Sequence, residues 1–165
     1  MCGFAGFAVR SGLDPRDTLH PMTESIAHRG PDDFGYYGWD GSKGQFWRQG
    51  VGLERVQVGL GFRRLSILDL SENGAQPMST PDGRFCLAFN GQIYNYNELR
   101  ATLPGVRWRS TSDTEVLLHI LAQGGISALA RLNGMYAFSF FDSKTGEMVL
   151  AVAVNGAPSA AGGGT

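Results

Sequence analysis

The chain opens Met1-Cys2-Gly3-Phe4, so that only the initiator methionine precedes a cysteine. Removal of Met1 would leave a thiol and a free α-amine on one residue, and both kinds of group change protonation state near neutral pH. A thiol is a strong nucleophile once a base has taken its proton, and an N-terminal amine is a known activating base. One interpretation of this start is therefore nucleophilic catalysis by Cys2. The alternative is a small residue without a chemical role.

A candidate oxyanion-binding pair follows a later apolar segment, at Asn90-Gly91. A side-chain amide next to a backbone N–H can hold the negative charge that develops when a nucleophile attacks a carbonyl. Asn-Gly is also a common pair in tight turns. The sequence leaves both interpretations open.

Two charged residues are candidates for binding the charged ends of a small substrate. Arg63 and Arg64 precede an apolar run, and neighbouring side chains of an extended strand point to opposite faces. An inward arginine at 64 would need an anionic partner such as a substrate carboxylate, whereas an outward one would form a surface salt bridge. Asp113 begins a predicted helix, where it would either complement the helix dipole or hold a substrate ammonium group.

No metal site is predicted, because His20, His28 and His119 lack metal-ligand spacing with one another or with cysteine. His28 lies in a predicted loop and suits a functional role better than His119, which falls on an apolar helix and is expected to be packed. Cys86, between Phe and Leu, is expected to be a core residue. The glycine run at 162–164 lacks the flanking strand and helix of a phosphate-binding loop.

Composition restricts the class of protein. A chain of 165 residues is expected to form one domain, and its net charge of −1 argues against nucleic-acid binding. It has neither the 18-residue apolar stretch of a transmembrane helix nor the pattern of a signal peptide. Two cysteines do not form a disulfide framework, so we expect a reducing, cytoplasmic location without membrane or nucleic-acid partners.

Apolar periodicity predicts strands and helices in separate groups, which favours a layered α+β fold over alternating βαβ units. The predicted strands are 4–9, 56–62, 65–70, 85–90, 136–141 and 148–154, and the predicted helices are 18–27, 97–103, 112–124 and 126–132. The segment 35–53 is predicted to be a loop or irregular hairpin. Ser112 and Glu115 have capping-box spacing.

Seven motifs together resemble the glutaminase domain of class II glutamine amidotransferases, in the branch that includes glutamine-hydrolysing asparagine synthetases. They occur in that family's order. The motifs are Met-Cys-Gly at 1–3, His-Arg-Gly-Pro-Asp-Asp at 28–33, Arg-Leu-Ser-Ile-Leu-Asp at 64–69, Gly-Ala-Gln-Pro-Met at 74–78, Asn-Gly-Gln-Ile-Tyr-Asn at 90–95, Ser-Asp-Thr-Glu at 112–115 and Leu-Asn-Gly-Met-Tyr-Ala-Phe at 132–138.

The resemblance implies an N-terminal nucleophile hydrolase fold, an α+β sandwich of four layers (αββα) with two antiparallel sheets, here truncated at its C-terminus. It implies hydrolysis of glutamine to glutamate and ammonia without a cofactor. In the matching positions Cys2 is the nucleophile and its freed α-amine is the general base. Asn90 and Gly91 hold the oxyanion.

The resemblance also implies how glutamine is bound. Arg64 would bind the α-carboxylate, Asp113 and Gln92 the α-amino group, and the backbone of Ile67 and Leu68 would line the pocket. Gln92 stands where the family usually has Glu, which predicts weaker ammonium binding, although Gln still accepts a hydrogen bond. Phe62 replaces a frequent His, without a clear consequence.

The family pattern ends after Ala151. Residues 1–151 are therefore assigned to the glutaminase domain, and 152–165, rich in small residues, to a divergent tail that is expected to be disordered. The family's synthetase domain, which would use ATP and Mg²⁺, is absent from this sequence, as in a truncated or frame-shifted gene product.

Two functional hypotheses follow. The first is a glutaminase that supplies ammonia to an acceptor such as aspartate, as a homo-oligomer or with a separate synthetase partner. The second is a non-catalytic remnant that binds at most glutamine or a partner. In either case, loss of the final strands is expected to expose a sheet edge and apolar surface.

Overall fold

Two antiparallel sheets form the centre of the protein. The structure, a computed structural model, describes residues 2–50, 52–65, 74–154 and 157–163, with the backbone alone for the last range. One sheet has the order β1 (Gly3–Leu13), β4 (Val56–Arg64), β2 (Asp33–Trp39), β3 (Gly44–Trp47), and the other has the order β5 (Met78–Ser79), β6 (Phe85–Ile93), β7 (Gly134–Asp142), β8 (Glu147–Val154), β9 (Ala157–Gly163). We call them sheet A and sheet B.

Helices cover the outer faces of both sheets. Helix α1 (Leu19–Ser25) packs on β1 and β4 of sheet A, whereas α3 (Asp113–Gly124) packs on β5 and β6 of sheet B, with α2 (Tyr96–Ala101) beside it. The 3₁₀ helices Ala27–Arg29 and Gly125–Arg131 follow α1 and α3. The layers are therefore helix, sheet, sheet, helix, and the predicted αββα sandwich is confirmed.

Strand β6 shows how the sequence builds these layers. Leu87 and Phe89 pack toward α3, whereas Cys86 and Ala88 pack toward sheet A, as the two-residue period of a strand requires. We call the second group the inter-sheet core; its buried members are Tyr37, Val58, Leu60, Phe62, Cys86, Ala88 and Phe141. Side chains of β4 and β6 that lie on the same strand face as these residues point between the two sheets.

The capping box at the start of α3 is only half formed. The N–H of Glu115 donates to the hydroxyl of Ser112, as predicted. The fully buried Glu115 carboxylate does not return to the N–H of Ser112 but accepts from the N–H groups of Arg109 and Ser110 and from the Ser110 hydroxyl. Burial alone would raise the pKa of Glu115, but these bonds outweigh it and hold the pKa below its usual value.

Several predicted boundaries differ from the structure. Of the two interpretations of the segment 35–53, loop or irregular hairpin, the structure shows the hairpin, in which Tyr36 to Trp39 of β2 pair with Trp47 to Gly44 of β3. The predicted helix 126–132 is a 3₁₀ helix, and the predicted strand 65–70 lies, except for Leu65, outside the described residues. Among the described residues no helix is long and apolar enough to span a membrane.

Part of the segment assigned to the divergent tail pairs with sheet B. Strand β8 continues past residue 151 to Val154, and Ala157–Gly163 pairs with it along its whole length as β9. Small side chains cannot fill a core, which motivated the prediction, but the backbone groups of such a segment still pair with an open sheet edge.

One corner of sheet B leaves apolar side chains in solvent. Ala151 and Ala153 pack toward α3, so Leu150, Val152 and Val154 point to the opposite face, the side on which sheet A lies. Their exposed fractions are 48%, 53% and 64%. Sheet A therefore does not cover this end of β8, and the expected exposed apolar surface is present.

Candidate functional site

The backbone holds Cys2 from two sides, immediately before β1. The N–H of Leu65 lies 3.4 Å from the Cys2 sulfur, and the thiol lies 3.7 Å from the Leu65 carbonyl oxygen. On the other side, Arg29 Nε donates to the Cys2 carbonyl at 3.3 Å. The half-buried side chain packs against the inter-sheet core. The thiol therefore sits between the sheets, at the point where β4 ends.

Asn90-Gly91 is not a tight turn. Both residues lie inside β6, where they stand opposite Ala137 and Tyr136 of β7. A Cβ at position 91 would overlap the carbonyl oxygen of Met135 and lie 2.5 Å from Tyr136 Cα, so only glycine fits this close strand pair. The structure therefore excludes the turn interpretation that the sequence had left open.

The N–H of Gly91 points to an open edge of sheet B. On that side of β6 the described strand β5 pairs only with Cys86 and Leu87. Farther along β6, side chains rather than a neighbouring strand accept its backbone N–H groups. Gln76 Oε1 accepts the N–H of Phe89 at 2.7 Å, and Asp113 Oδ2 accepts the N–H of Ile93 at 3.0 Å.

The N–H groups of alternate residues in an antiparallel strand point the same way. The N–H of Gly91, midway between Phe89 and Ile93, therefore points away from β7 to the same edge, between the Gln76 amide and the Asp113 carboxylate. Gly91 itself is exposed to solvent. A backbone donor is thus presented to solvent next to a carboxylate.

Asn90 faces the same side of β6 as the inter-sheet core. Its side chain shares that face with Cys86 and Ala88, and Cys2 packs against the cluster that contains them. Asn90 is half-buried, and Gln92, two residues on, is exposed. The thiol and the Asn90 amide are therefore on the same side of sheet B.

The two arginines at the end of β4 point in opposite directions, as predicted. Arg63 turns to α1, where it donates to the Thr23 carbonyl, pairs with Glu24 and stacks 5.0 Å above the Phe34 ring. Arg64 shares the inward face of β4 with Leu60 and Phe62 of the inter-sheet core.

Arg64 is buried, and its guanidinium lies 4.0 Å from the Asp33 carboxylate, which Arg48 approaches to 3.1 Å. An exposed surface salt bridge therefore does not describe Arg64. Arg64 directly precedes Leu65, whose backbone N–H and carbonyl oxygen border the Cys2 sulfur.

Asp113 is half-buried at the start of α3. Burial raises the pKa of its carboxyl, and the hydrogen bonds that it accepts from the N–H groups of Ile93 and Thr114 offset only part of that rise. The ionised carboxylate is therefore not fully compensated by the protein. An ammonium group of a ligand would supply the missing positive charge.

The remaining candidates are placed as follows. Ile67 and Leu68 lie outside the described residues. Cys86 is fully buried, and burial raises the pKa of its thiol to about 12, which confirms a core role. His119 packs edge-on against Trp108, as expected of a packed histidine. Among the described residues no group of three or more His, Cys, Asp or Glu side chains could hold a metal ion.

Two residues that contribute hydrogen bonds at the site were missed from sequence. The Arg29 bond to the Cys2 carbonyl and the Gln76 bonds at the open edge join segments that are far apart in the chain. Both residues lie in motifs that carry the family resemblance, at 28–33 and 74–78, and this was the only available signal. Side-chain type alone assigns neither residue a role.

Comparison with known proteins gives a consistent result. The family model described as "Glutamine amidotransferase domain" matches residues 1–156. Asparagine synthetase [glutamine-hydrolyzing] 1 of Bacillus subtilis is 40% identical over 144 residues, which cover 84% of this chain and 20% of that protein. A putative asparagine synthetase [glutamine-hydrolyzing] of Methanocaldococcus jannaschii is 33% identical over 161 residues, 88% of this chain and 28% of its own length.

A solved structure shares the fold. Glutamine phosphoribosylpyrophosphate amidotransferase from Bacillus subtilis superposes with a TM-score of 0.72 and 24% sequence identity, over 92% of this chain and 37% of that one. The present chain spans only about a fifth of the length of the Bacillus subtilis asparagine synthetases that it matches.

Proposed function

This chain belongs to the glutamine amidotransferase domain family, and we propose that it releases ammonia from the side-chain amide of glutamine, leaving glutamate. The observation that carries the proposal is the arrangement at the end of β6. The N–H of Gly91 points to the open edge next to Asp113, while Cys2 and Asn90 lie on the same side of sheet B. A nucleophile, an oxyanion donor and an anion for an ammonium group are what an amino-acid amidase needs.

The proposed reaction has two halves. The α-amine of Cys2, freed by removal of Met1, takes the thiol proton, and the sulfur attacks the amide carbon of glutamine. Asn90 and the N–H of Gly91 stabilise the oxyanion of the tetrahedral intermediate. The proton passes to the nitrogen, ammonia leaves, and water then cleaves the γ-glutamyl thioester to glutamate and free thiol.

The substrate's other end would be bound by charge. We assign its α-carboxylate to Arg64, which suits a planar carboxylate because its guanidinium forms two parallel hydrogen bonds. Its α-ammonium group is assigned to Asp113, with Gln92 as a weaker acceptor. The backbone of Ile67 and Leu68 is assigned to the pocket wall from the resemblance alone.

The ammonia acceptor is proposed to be aspartate, or another substrate, on a synthetase domain or a separate synthetase polypeptide. ATP and Mg²⁺ would serve that second reaction and not glutamine hydrolysis. A cytoplasmic location is proposed because a reducing environment keeps the Cys2 thiol free.

The test compares purified protein lacking Met1 with two cysteine variants in a glutamate-release assay. The unsubstituted protein and Cys86→Ala are expected to turn over glutamine, whereas Cys2→Ala is expected to release none. Equal rates from Cys2→Ala and the unsubstituted protein would refute the assigned nucleophile. N-terminal mass measurement on the same sample establishes whether Met1 is gone.

A non-catalytic remnant is the second candidate, favoured by the exposed side chains of Leu150, Val152 and Val154. Such a surface suits association with a partner rather than solvent. This candidate predicts a poorly cooperative thermal melt and no turnover after Met1 removal. A single cooperative transition together with glutamate release would exclude it.

A further inference from the structure

Gln76 joins the two elements that carry the proposed oxyanion donor and the proposed ammonium-binding carboxylate. The residue is 9% exposed, its Oε1 accepts the N–H of Phe89 at 2.7 Å, and its Nε2 donates to Thr114 Oγ1 at 3.4 Å. Phe89 lies in β6, and Thr114 lies in the first turn of α3. One amide thus spans the gap between an open sheet edge and a helix N-terminus.

Each partner of Gln76 is close in sequence to a proposed functional group. Phe89 is two residues before Gly91 on the same edge of β6, and Thr114 directly follows Asp113. The bond from the N–H of Ile93 to Asp113 closes the arrangement on the far side. The edge of β6 and the start of α3 are therefore connected twice, by Gln76 before Gly91 and by Asp113 after it.

The two connections have different consequences for the site. The Asp113 connection uses the same carboxylate that would bind a ligand ammonium group, so this connection is not independent of the ligand. The hydrogen bonds of Gln76 go to Phe89 and Thr114, so they do not use the groups assigned to the substrate. A buried amide whose two ends are both hydrogen-bonded has little freedom to move.

We propose that Gln76 is a positioning residue for glutamine hydrolysis: it sets the spacing between the N–H of Gly91 and the carboxylate of Asp113. The inference rests on the function proposed above. Its Phe89 bond holds the strand edge, where the oxyanion forms, and its Thr114 bond holds the helix start, where the ammonium group binds. Loss of the first is expected to act on kcat and loss of the second on KM.

The test uses Gln76→Met, which keeps the length of the side chain but removes both bonds, and Thr114→Val, which removes only the helix contact. Thr23→Val is the matched control, because Thr23 is also buried but its hydroxyl bonds to the Leu19 carbonyl within α1. kcat and KM for glutamine are measured per folded molecule. Reaction of Cys2 with iodoacetamide is measured in parallel, since Cys86 is fully buried.

Gln76→Met is expected to lose about tenfold to 10²-fold in kcat/KM, through both parameters, because small displacements of positioned groups cost rates of this order. Thr114→Val is expected to raise KM severalfold with kcat nearly unchanged, and the double variant is expected to match Gln76→Met in KM. The kcat and KM of Thr23→Val are expected to stay within about twofold of those of the unsubstituted protein. The rate of Cys2 alkylation is expected to stay within the same range in every variant.

Unchanged kcat and KM in folded Gln76→Met would overturn the proposal, as would a parallel loss of Cys2 alkylation, which indicates general disruption. If Gln76→Met does not fold, an unchanged KM in Thr114→Val overturns it. An unsubstituted protein without turnover refutes the proposed function instead. Amide hydrogen exchange then decides: faster exchange at both 89–93 and 113–115 in Gln76→Met supports the connection, and unchanged exchange overturns it.

Discussion

Replacement of Asp113 by Asn is expected to weaken glutamine binding without weakening the fold. The Asn side chain keeps an oxygen that can accept the N–H of Ile93, the bond that the carboxylate makes at 3.0 Å. What the substitution removes is the negative charge at the start of α3. The two effects can therefore be separated by measuring affinity and stability on one variant.

The size of the binding effect follows from the loss of one charged hydrogen bond. Such a bond contributes about 1.5–3 kcal/mol, and each 1.4 kcal/mol is a factor of ten, so KM for glutamine is expected to rise roughly 10- to 150-fold. kcat is expected to change much less, because Asp113 binds a group remote from the reacting amide. Steady-state glutamate release across a range of glutamine concentrations measures both.

The stability effect follows from the direction of the pKa shift. Burial raises the pKa of Asp113 above its ordinary value. A carboxyl whose pKa is higher in the folded state favours folding most at pH values below its pKa in the unfolded state. This contribution is lost as the pH rises through its pKa in the folded state. At pH 7 the ionised group therefore opposes folding, so Asp113→Asn is expected to keep or raise Tm there, with a smaller difference in acid.

Asp142→Asn is the matched control. Asp142 accepts Arg84 Nε and Nη2 at 3.0 and 2.7 Å, and these bonds hold its pKa below the usual value. Because the pair is partly exposed, its loss is expected to cost about 1 kcal/mol of unfolding free energy and to leave KM unchanged. An Asp113→Asn variant with unaltered KM, or one destabilised as much as Asp142→Asn, would refute the reasoning.

Three further outcomes are expected. Asn90→Ala should lower kcat roughly 10²- to 10³-fold with little change in KM, and a kcat within threefold of the unsubstituted protein would remove Asn90 from the oxyanion site. Glu115→Gln should lower the free energy of unfolding at pH 7 by about 1–3 kcal/mol. The pKa of Glu115 is lower in the folded than in the unfolded state, so the ionised carboxylate stabilises the fold at pH values above its pKa in the unfolded state. This stabilisation is lost as the pH falls through its pKa in the folded state. Urea unfolding at pH 3 should therefore show a smaller difference between Glu115→Gln and the unsubstituted protein. The double variant Leu150→Lys, Val154→Lys should self-associate less, as measured by sedimentation velocity. An unaltered distribution of sedimentation coefficients would show that this corner of sheet B does not mediate self-association.

Motif content and strand periodicity made much of the fold predictable. Apolar runs bounded by turn signals placed β6, β7 and β8, because such runs and turns are properties of residues that are neighbours in sequence. The position of Cys2 after the initiator and the spacing of Ser112 and Glu115 are likewise local properties. The sandwich and its family followed from the motifs in combination.

The direction of the Gly91 N–H could not be predicted from neighbouring residues. It depends on β7, a strand distant in the chain, pairing with one side of β6, and on β5 pairing with the other side no farther than Leu87. The role of Gln76 could not be predicted either, because its hydrogen-bond partners are the N–H of Phe89 in a strand and the hydroxyl of Thr114 in a helix.

The sequence by itself determined the chemical groups of this protein: a thiol beside an amine, an amide, a cation and an anion. Only the tertiary structure decided their directions, turning Arg64 inward, placing Asn90-Gly91 within a strand, and ordering Ala157–Gly163 on the edge of β8. The physical reason is that backbone groups form hydrogen bonds with, and side chains are buried by, segments that are close in space but not in sequence. Local composition does not identify those segments.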